Sequence, residues 1–242
     1  ARRSNIYIKL FQFSIHLKFI NMKKHYVIIL LLSSFFVQAQ EATSGKTSIS
    51  LDIAPLIVSP KRLSVGVAYQ ISPRFFVGIE GGKSFSASWG RTNGESENYK
   101  LNQYRLEAGY ILNPNNDHVN HFLSLDFVGI NHKETLLDGD FWVDYNNTSK
   151  RYSYLRTDYS RKKHVFHINY GLKVFFSDSK KVGVEPKIGL GVGNTSVDFT
   201  NTINQKEIDN DQSLWGVNNR YELAGKEQIG NVNFQIRFFY VF

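Results

Sequence analysis

The sequence predicts an all-β fold, an eight-stranded antiparallel up-and-down transmembrane β-barrel. Three observations support this prediction. Apolar and polar residues alternate with a period of two in eight separate segments, the connections between the segments are short and long in turn, and 14% of the residues are aromatic. Because successive side chains of a strand point to opposite faces, each segment predicts one apolar and one polar face. Short turns on one side and long loops on the other are typical of barrels that span a membrane.

The first 39 residues have the pattern of a targeting segment. Met22, the only methionine, is followed by Lys23 and Lys24, the apolar run 26–37 and the small-residue site Val37-Gln38-Ala39. This order is typical of a cleaved signal peptide, and the apolar run is too short to cross a membrane as a helix. For 1–21 the alternative is an unusually long basic leader region. We expect an upstream extension outside the native protein at 1–21, a signal peptide at 22–39, a short periplasmic segment at 40–45 and the barrel at 46–242.

Charge and composition exclude several functional classes. Six of the 29 basic residues lie in 1–39, which contains no acid, so the rest of the chain holds 23 basic and 21 acidic residues. A nucleic-acid-binding protein keeps its basic charge in the folded part, so we expect no nucleic-acid partner. These 242 residues contain no cysteine, which excludes disulfides and thiol chemistry. Nucleotide-binding and zinc motifs are absent from the sequence, and we expect no cofactor and no metal.

The predicted strands begin after the targeting segment. In order they are 48–53, 63–71, 75–82, 103–112, 123–127, 166–176, 182–193 and 231–242. The alternation is lost at 128–130, which we attribute to a β-bulge. Short turns are predicted at 72–74, 113–120 and 177–181, where Pro, Asn, Asp and Ser are frequent. The connections of the other series are 55–62, which is short, and the long loops 84–98, 132–164 and 194–230.

The polar faces hold glycines and charges of both signs, which suits the crowded inside of a narrow barrel. The charged residues are Asp52, Glu80, Arg105, Glu107, Asp126, Lys173, Glu185, Lys187 and Arg237. Because side chains fill an eight-stranded barrel, we interpret them as paired charges in a plugged lumen rather than as a gated ion path. The alternative is a soluble lipocalin-like carrier, whose apolar face would point inward.

The last predicted strand carries aromatic residues at Phe238, Tyr240 and Phe242, after apolar residues at every second position from Val232. In this pattern the chain resembles the small outer-membrane β-barrel proteins of Gram-negative bacteria, of the OmpA/OmpX type. The Gln-rich cleavage region and the Asn- and Lys-rich loops resemble a Bacteroidetes member. The resemblance covers about 46–242. It implies an outer-membrane, porin-like protein, localised after signal-peptide cleavage, whose last strand is the assembly signal read by the barrel assembly machinery. It also implies contact with outer-membrane lipid and lipopolysaccharide.

Two features of the predicted loops suggest contacts at the cell surface. The basic run Arg161, Lys162 and Lys163 is expected at the extracellular rim, where cations would pair with lipopolysaccharide phosphates. The long extracellular loops carry aromatic residues that suit binding of an extracellular protein or glycan, or strands that continue above the membrane. These residues are Phe141, Trp142, Tyr145, Tyr152, Tyr154 and Trp215.

The predicted function is therefore non-enzymatic, a structural or surface-interaction role. The alternative is an outer-membrane enzyme acting on lipid A or peptides, which requires a histidine within reach of a nucleophile and an acid. The candidate residues near the predicted rim are His132, His164, Ser153, Ser160, Asp158 and Glu134.

Overall fold

The computed structural model describes residues 45–57, 61–84, 96–116, 118–145, 148–176, 179–208 and 223–242. The predicted upstream extension, the signal peptide and residues 40–44 lie outside these ranges. No helix among the described residues is long and apolar enough to cross a membrane.

Nine strands and one helical turn make up the described chain. They are β1 (Lys46–Asp52), α1 (Ala54–Ile57), β2 (Arg62–Gln70), β3 (Phe75–Ser84), β4 (Ser96–Ile111), β5 (Val119–Tyr145), β6 (Thr148–Phe175), β7 (Val182–Ile203), β8 (Lys206–Ile208) and β9 (Leu223–Val241). Strands β1 to β7 pair with their sequence neighbours, and β9 pairs with both β7 and β1. All these pairs are antiparallel, so eight strands form a closed ring. The predicted eight-stranded up-and-down barrel is confirmed, and the short β8 is an additional strand paired with β6.

The apolar faces of the strands point outward. Ile168 on β6, Leu190 on β7 and Val232 on β9 are 67%, 71% and 66% exposed, whereas charged residues on the opposite faces are buried. The outward side chains of β7 are apolar from Val182 to Val192, which at a tilt of about 40° covers roughly 25 Å, the height of the apolar band of a membrane barrel. An exposed apolar surface of this extent requires lipid. The lipocalin-like alternative is excluded, because it needs the apolar faces inside.

Short polar turns close one end of the ring, called the turn end from here on. Two of them are fixed by side chains that accept backbone hydrogen bonds, as small polar residues do in turns. The Ser72 hydroxyl oxygen accepts from the amides of Arg74 and Phe75, at 3.3 and 3.1 Å. The Asn116 side chain accepts from the amides of His118 and Val119, at 3.0 and 3.1 Å. The opposite end is called the hairpin end.

At the hairpin end, strands replace most of the predicted long loops. β5 and β6 stay paired from Val119 and Val174 to Tyr145 and Thr148, so only 146–147 connect them, and 132–164 is not a loop. β7 continues to Ile203, and β9 begins at Leu223. The loop prediction was wrong for these segments, and the alternative that strands continue above the membrane is confirmed for β5 and β6. Strands that leave the membrane no longer need an apolar outer face, so the alternation that marks a strand fades. Of the predicted loops, 85–95 and 209–222 lie outside the described residues.

The predicted bulge at 128–130 is absent, because the pairing of β5 with β4 and β6 runs through these residues without a shift. The alternation is blurred for a different reason. Val128 and Ile130 point into the lumen and line a cavity there, so both faces of the strand are apolar at this level.

Glycines on the inner faces make room for aromatic rings. A Cβ at Gly109 would clash with the ring of Phe76, and one at Gly171 would clash with the ring of Phe122. Each ring lies over the glycine of the neighbouring strand, so this pairing lets a narrow barrel hold large side chains at the turn end.

Candidate functional site in the lumen

The lumen is filled in layers, and the first layer, at the turn end, is aromatic. Phe76, Ile111 and Phe122 are almost fully buried and form one cluster, in which the rings of Phe76 and Phe122 meet edge to face at 5.4 Å. Phe175 and Phe239 make a similar contact at 5.5 Å. These side chains separate the middle of the lumen from the turn end.

The second layer is a network of charged side chains in the middle of the barrel. The structure brings together here all nine charged residues predicted for the lumen. They are Asp52, Glu80, Arg105, Glu107, Asp126, Lys173, Glu185, Lys187 and Arg237. They come from every strand of the ring except β2, so their contacts cross-link the barrel wall from the inside.

Arg237 on β9 joins three of the carboxylates. Its Nε donates to Glu80 at 3.1 Å, and its Nη1 donates to Glu107 at 2.6 Å and to Glu185 at 2.9 Å. The planar guanidinium presents several donors in a fixed fork, which suits an ion that must satisfy several acids at once.

Lys187 and Arg105 extend the network across the lumen. The Lys187 ammonium contacts Glu107 at 2.7 Å and Asp126 at 2.9 Å, and its side chain is fully buried. Arg105 donates to the second of these acids, Asp126, at 2.8 Å and lies 3.6 Å from Glu80. Each carboxylate other than Asp52 therefore lies within 4 Å of at least one cation, which a buried charge requires.

Amides complete the layer. Gln235 donates to Asp52 at 2.9 Å and to Glu80 at 3.2 Å, and it accepts from Arg105. Asp52 is thus held by an amide rather than by a cation. The cavity beside Glu80, Glu107 and Arg237 measures about 10 Å³, which is at the lower limit for one water molecule.

Lys173 links the network to the aromatic layer. Its ammonium lies 3.8 Å from Glu185 and 4.1 Å from the centre of the Phe76 ring, a distance at which a cation and an aromatic face attract. Lys173 therefore connects the two layers, beside a cavity of about 40 Å³ that Phe76, Phe175 and Phe239 also line.

A cavity of about 300 Å³ forms the third layer, above the network. Its lining residues come from β2, β4, β5, β6 and β9. They are Arg62, Tyr99, Leu101, Gln103, Arg105, Val128, Ile130, His132, Arg161, Lys163, Val165, His167, Asn231, Val232, Asn233 and Phe234. Sequence reasoning did not find this cavity, although Arg161 and Lys163 on one strand face were a signal for it.

The basic run predicted to contact lipopolysaccharide is divided by the alternation of β6. Arg161 and Lys163 point into the lumen and line the cavity, and Arg161 donates to Thr195 on β7 at 3.3 Å. Lys162, between them, points outward and is exposed. A strand cannot present three consecutive side chains on one face, so the structure leaves only Lys162 of the three on the outer surface.

An apolar cluster forms the fourth layer, at the hairpin end. Phe141 and Tyr154 are buried in it, with the ring of Phe141 stacked on Phe199 at 4.3 Å. These two aromatic residues, predicted to lie in a loop that suits partner binding, are turned inward by the β5–β6 hairpin and buried. Trp142 and Tyr152 are half-buried, whereas Trp215 and the side chain of Tyr145 lie outside the described residues.

The candidate catalytic residues do not form a triad. The His132 Nε2 lies 3.2 Å from Glu134, and both side chains are buried in the lumen. Ser160 and Asp158 lie on the face of β6 opposite to the one that faces the lumen. His164 is exposed and stacks on Phe127, and the Ser153 hydroxyl donates to the backbone carbonyl of Lys206. Hydrogen bonds from Asn201 and Thr135 lower the pKa of the Asp158 carboxyl below its ordinary 3.8. The structure therefore brings together one His–acid pair, His132 and Glu134, but places neither Ser153 nor Ser160 beside it.

The aromatic residues of the predicted assembly signal point outward near the turn end. Phe238, Tyr240 and Phe242 are exposed. Phe238 is paired with Leu51 of β1, and Tyr240 is paired with both Ile49 of β1 and Val182 of β7. β9 is thus the strand that closes the ring.

These observations define a transmembrane β-barrel whose lumen holds a buried charge network with a cavity above it. No family model matches the chain, and no curated protein matches its sequence. Among solved structures, the N-terminal β-barrel domain of OprF from Pseudomonas aeruginosa is similar, at 10% identity and a TM-score of 0.34, over 81% of this chain and 100% of that domain. CarO of Acinetobacter baumannii is similar at 10% identity and a TM-score of 0.39, over 82% of this chain and 96% of its own. The fold is assigned from the strand pairing of this chain and not from these distant likenesses.

Proposed function

We propose that this protein is an outer-membrane β-barrel of a Gram-negative bacterium that acts as a structural or surface-interaction protein and does not conduct. The observation that carries the proposal is the combination of an apolar outer surface with a cross-linked network of buried charges in the lumen. The first requires lipid, and the second fills the middle of the lumen, where the cavity beside Glu80, Glu107 and Arg237 measures about 10 Å³. A barrel filled in this way is closed to solutes at the level of the network.

The proposed orientation puts the turn end in the periplasm and the hairpin end outside the cell. Beyond His132, β5 continues for about 40 Å along the strand at 3.3 Å per residue. This β5–β6 hairpin is the largest projection of the described chain, and it would carry any contact with an extracellular protein or glycan.

Two further contacts belong to this proposal. Lys162, exposed at the hairpin end of the apolar band, would pair with a lipopolysaccharide phosphate. Phe238, Tyr240 and Phe242 on the closing strand would be the contact for the barrel assembly machinery.

The test is expression from Met22, followed by gel mobility of the outer-membrane fraction with and without boiling, and by conductance in a planar bilayer. We expect a mobility shift on boiling and no stable conductance steps. A soluble product without a shift would contradict the membrane assignment, and stable open channels would contradict the closed lumen.

A further inference from the structure

The charge of the lumen cavity is unlike that of the network below it. Besides Arg105, which pairs with Asp126, and His132, which lies 3.2 Å from Glu134, its lining carries Arg62, Arg161 and Lys163, together with His167. No carboxylate side chain is among the described residues that line it. In the network layer five acids face four cations, so the positive charge is specific to the cavity.

The geometry points to a binding site for a small organic anion, a phosphate monoester or a carboxylate with an apolar body, in this cavity. Its volume of about 300 Å³ is at the lower end of the range of ligand pockets. Such a ligand would lie between the charge network and the apolar cluster at the hairpin end.

The positions of the cations support an anionic ligand. Arg62 begins β2, and Arg161 and Lys163 lie on β6, so positive charges reach the cavity from separate parts of the ring. The Arg62 Nε is buried without a hydrogen-bond partner, and so is the Nδ1 of His167. Leaving a buried polar nitrogen without a hydrogen bond is costly, and an anion in the cavity that accepts from the Arg62 Nε would offset that cost.

The remaining wall gives the ligand its apolar part. Tyr99, Leu101, Val128, Ile130 and Val165 line the cavity from β4, β5 and β6. A bare inorganic ion would leave these side chains without contacts, whereas an anion that carries a ring or a short chain would cover them.

The matched variants lie next to each other on one strand. Lys163→Gln removes a charge from the cavity lining, and Lys162→Gln removes the same charge from the outer surface. Arg62→Gln is a second cavity variant on another strand. Each variant is first checked for the mobility shift on boiling, so that a loss of fold is not mistaken for a loss of binding.

Isothermal titration of the folded full chain in detergent, with phenyl phosphate and with inorganic phosphate, tests the proposal. We expect one saturable site that prefers phenyl phosphate. Binding should weaken about tenfold in Lys163→Gln and in Arg62→Gln and stay unchanged in Lys162→Gln. The absence of a saturable site, or an equal loss in Lys162→Gln and Lys163→Gln, would overturn the proposal.

The source of the anion is tested by competition. The cavity lies inside the ring of strands, so we expect inorganic phosphate to displace phenyl phosphate and lipid A in the surrounding bilayer to leave its binding unchanged. Displacement by lipid A would overturn the assignment to a soluble anion and would identify a lipid headgroup as the ligand.

Discussion

Replacing Lys187 tests whether the buried network stabilises the barrel. The ammonium lies 2.7 Å from Glu107 and 2.9 Å from Asp126, in a side chain with no exposed surface. At an effective dielectric constant of about 20, each contact corresponds to about 6 kcal/mol of Coulomb attraction, opposed by several kcal/mol for removing the ammonium from water. Breaking a buried pair costs about 3–5 kcal/mol. Because Arg237 still contacts Glu107 and Arg105 still contacts Asp126, we expect Lys187→Met to lower the free energy of unfolding by about 3 kcal/mol, the lower end of this range.

The assay is urea unfolding in phospholipid vesicles, with the folded fraction read from gel mobility without boiling. Lys181→Met, in the exposed turn before the same strand, is the control and should change the free energy of unfolding by less than about 0.5 kcal/mol. In the double variant Lys187→Met, Glu107→Gln, the loss should be smaller than the sum of the single losses by about 1–3 kcal/mol. Unfolding of Lys187→Met at the wild-type urea concentration, or strict additivity in the double variant, would contradict a stabilising contact between Lys187 and Glu107.

Three further predictions concern residues outside the charge network. Gly109→Ala should destabilise the barrel by about 1–3 kcal/mol in the same urea assay, because the new Cβ clashes with Phe76, whereas Gly81→Ala, with nothing near its Cβ, should be neutral. Phe141→Ala should destabilise the hairpin-end cluster by about 3 kcal/mol and make the hairpin sensitive to limited proteolysis, while the mobility shift on boiling remains. Because its pKa is lowered on folding, Asp158 stabilises the hairpin end above pH 3.8 and loses this effect as the pH falls through its folded pKa; Asn201→Ala should raise that pKa, as measured by NMR titration of the carboxyl group.

The membrane-spanning half of the fold follows from the sequence because two environments meet at each strand. Lipid demands an apolar side chain at every second position, as at Ile188, Leu190 and Val192, and the narrow lumen demands small or paired polar ones between them. The alternation therefore predicts both the strands and the identity of the charges inside. It does not predict which acid meets which base, because that depends on the relative heights of strands far apart in sequence, such as Glu107 and Arg237.

The hairpin end is harder to predict, because neither lipid nor a continuous core imposes an alternation of apolar and polar side chains there. Residues 132–164 resemble loop in composition, yet they form paired strands with Phe141 and Tyr154 turned inward. The cavity was missed for a related reason. Arg161, Lys162 and Lys163 form one basic run in the sequence, but the alternation of β6 places them on two faces.

The most direct test of the account is the direction in which adjacent side chains of β6 point. The chain has no cysteine, so Ile168→Cys and His167→Cys each introduce a single labelling site. Ile168 is 67% exposed on the outer surface, and His167 is 4% exposed in the lumen. With a spin label at each site in lipid vesicles, we expect lipid-soluble oxygen to relax the label at 168 strongly and the label at 167 weakly. The reverse result, with 167 open to lipid and 168 protected, would contradict the membrane barrel.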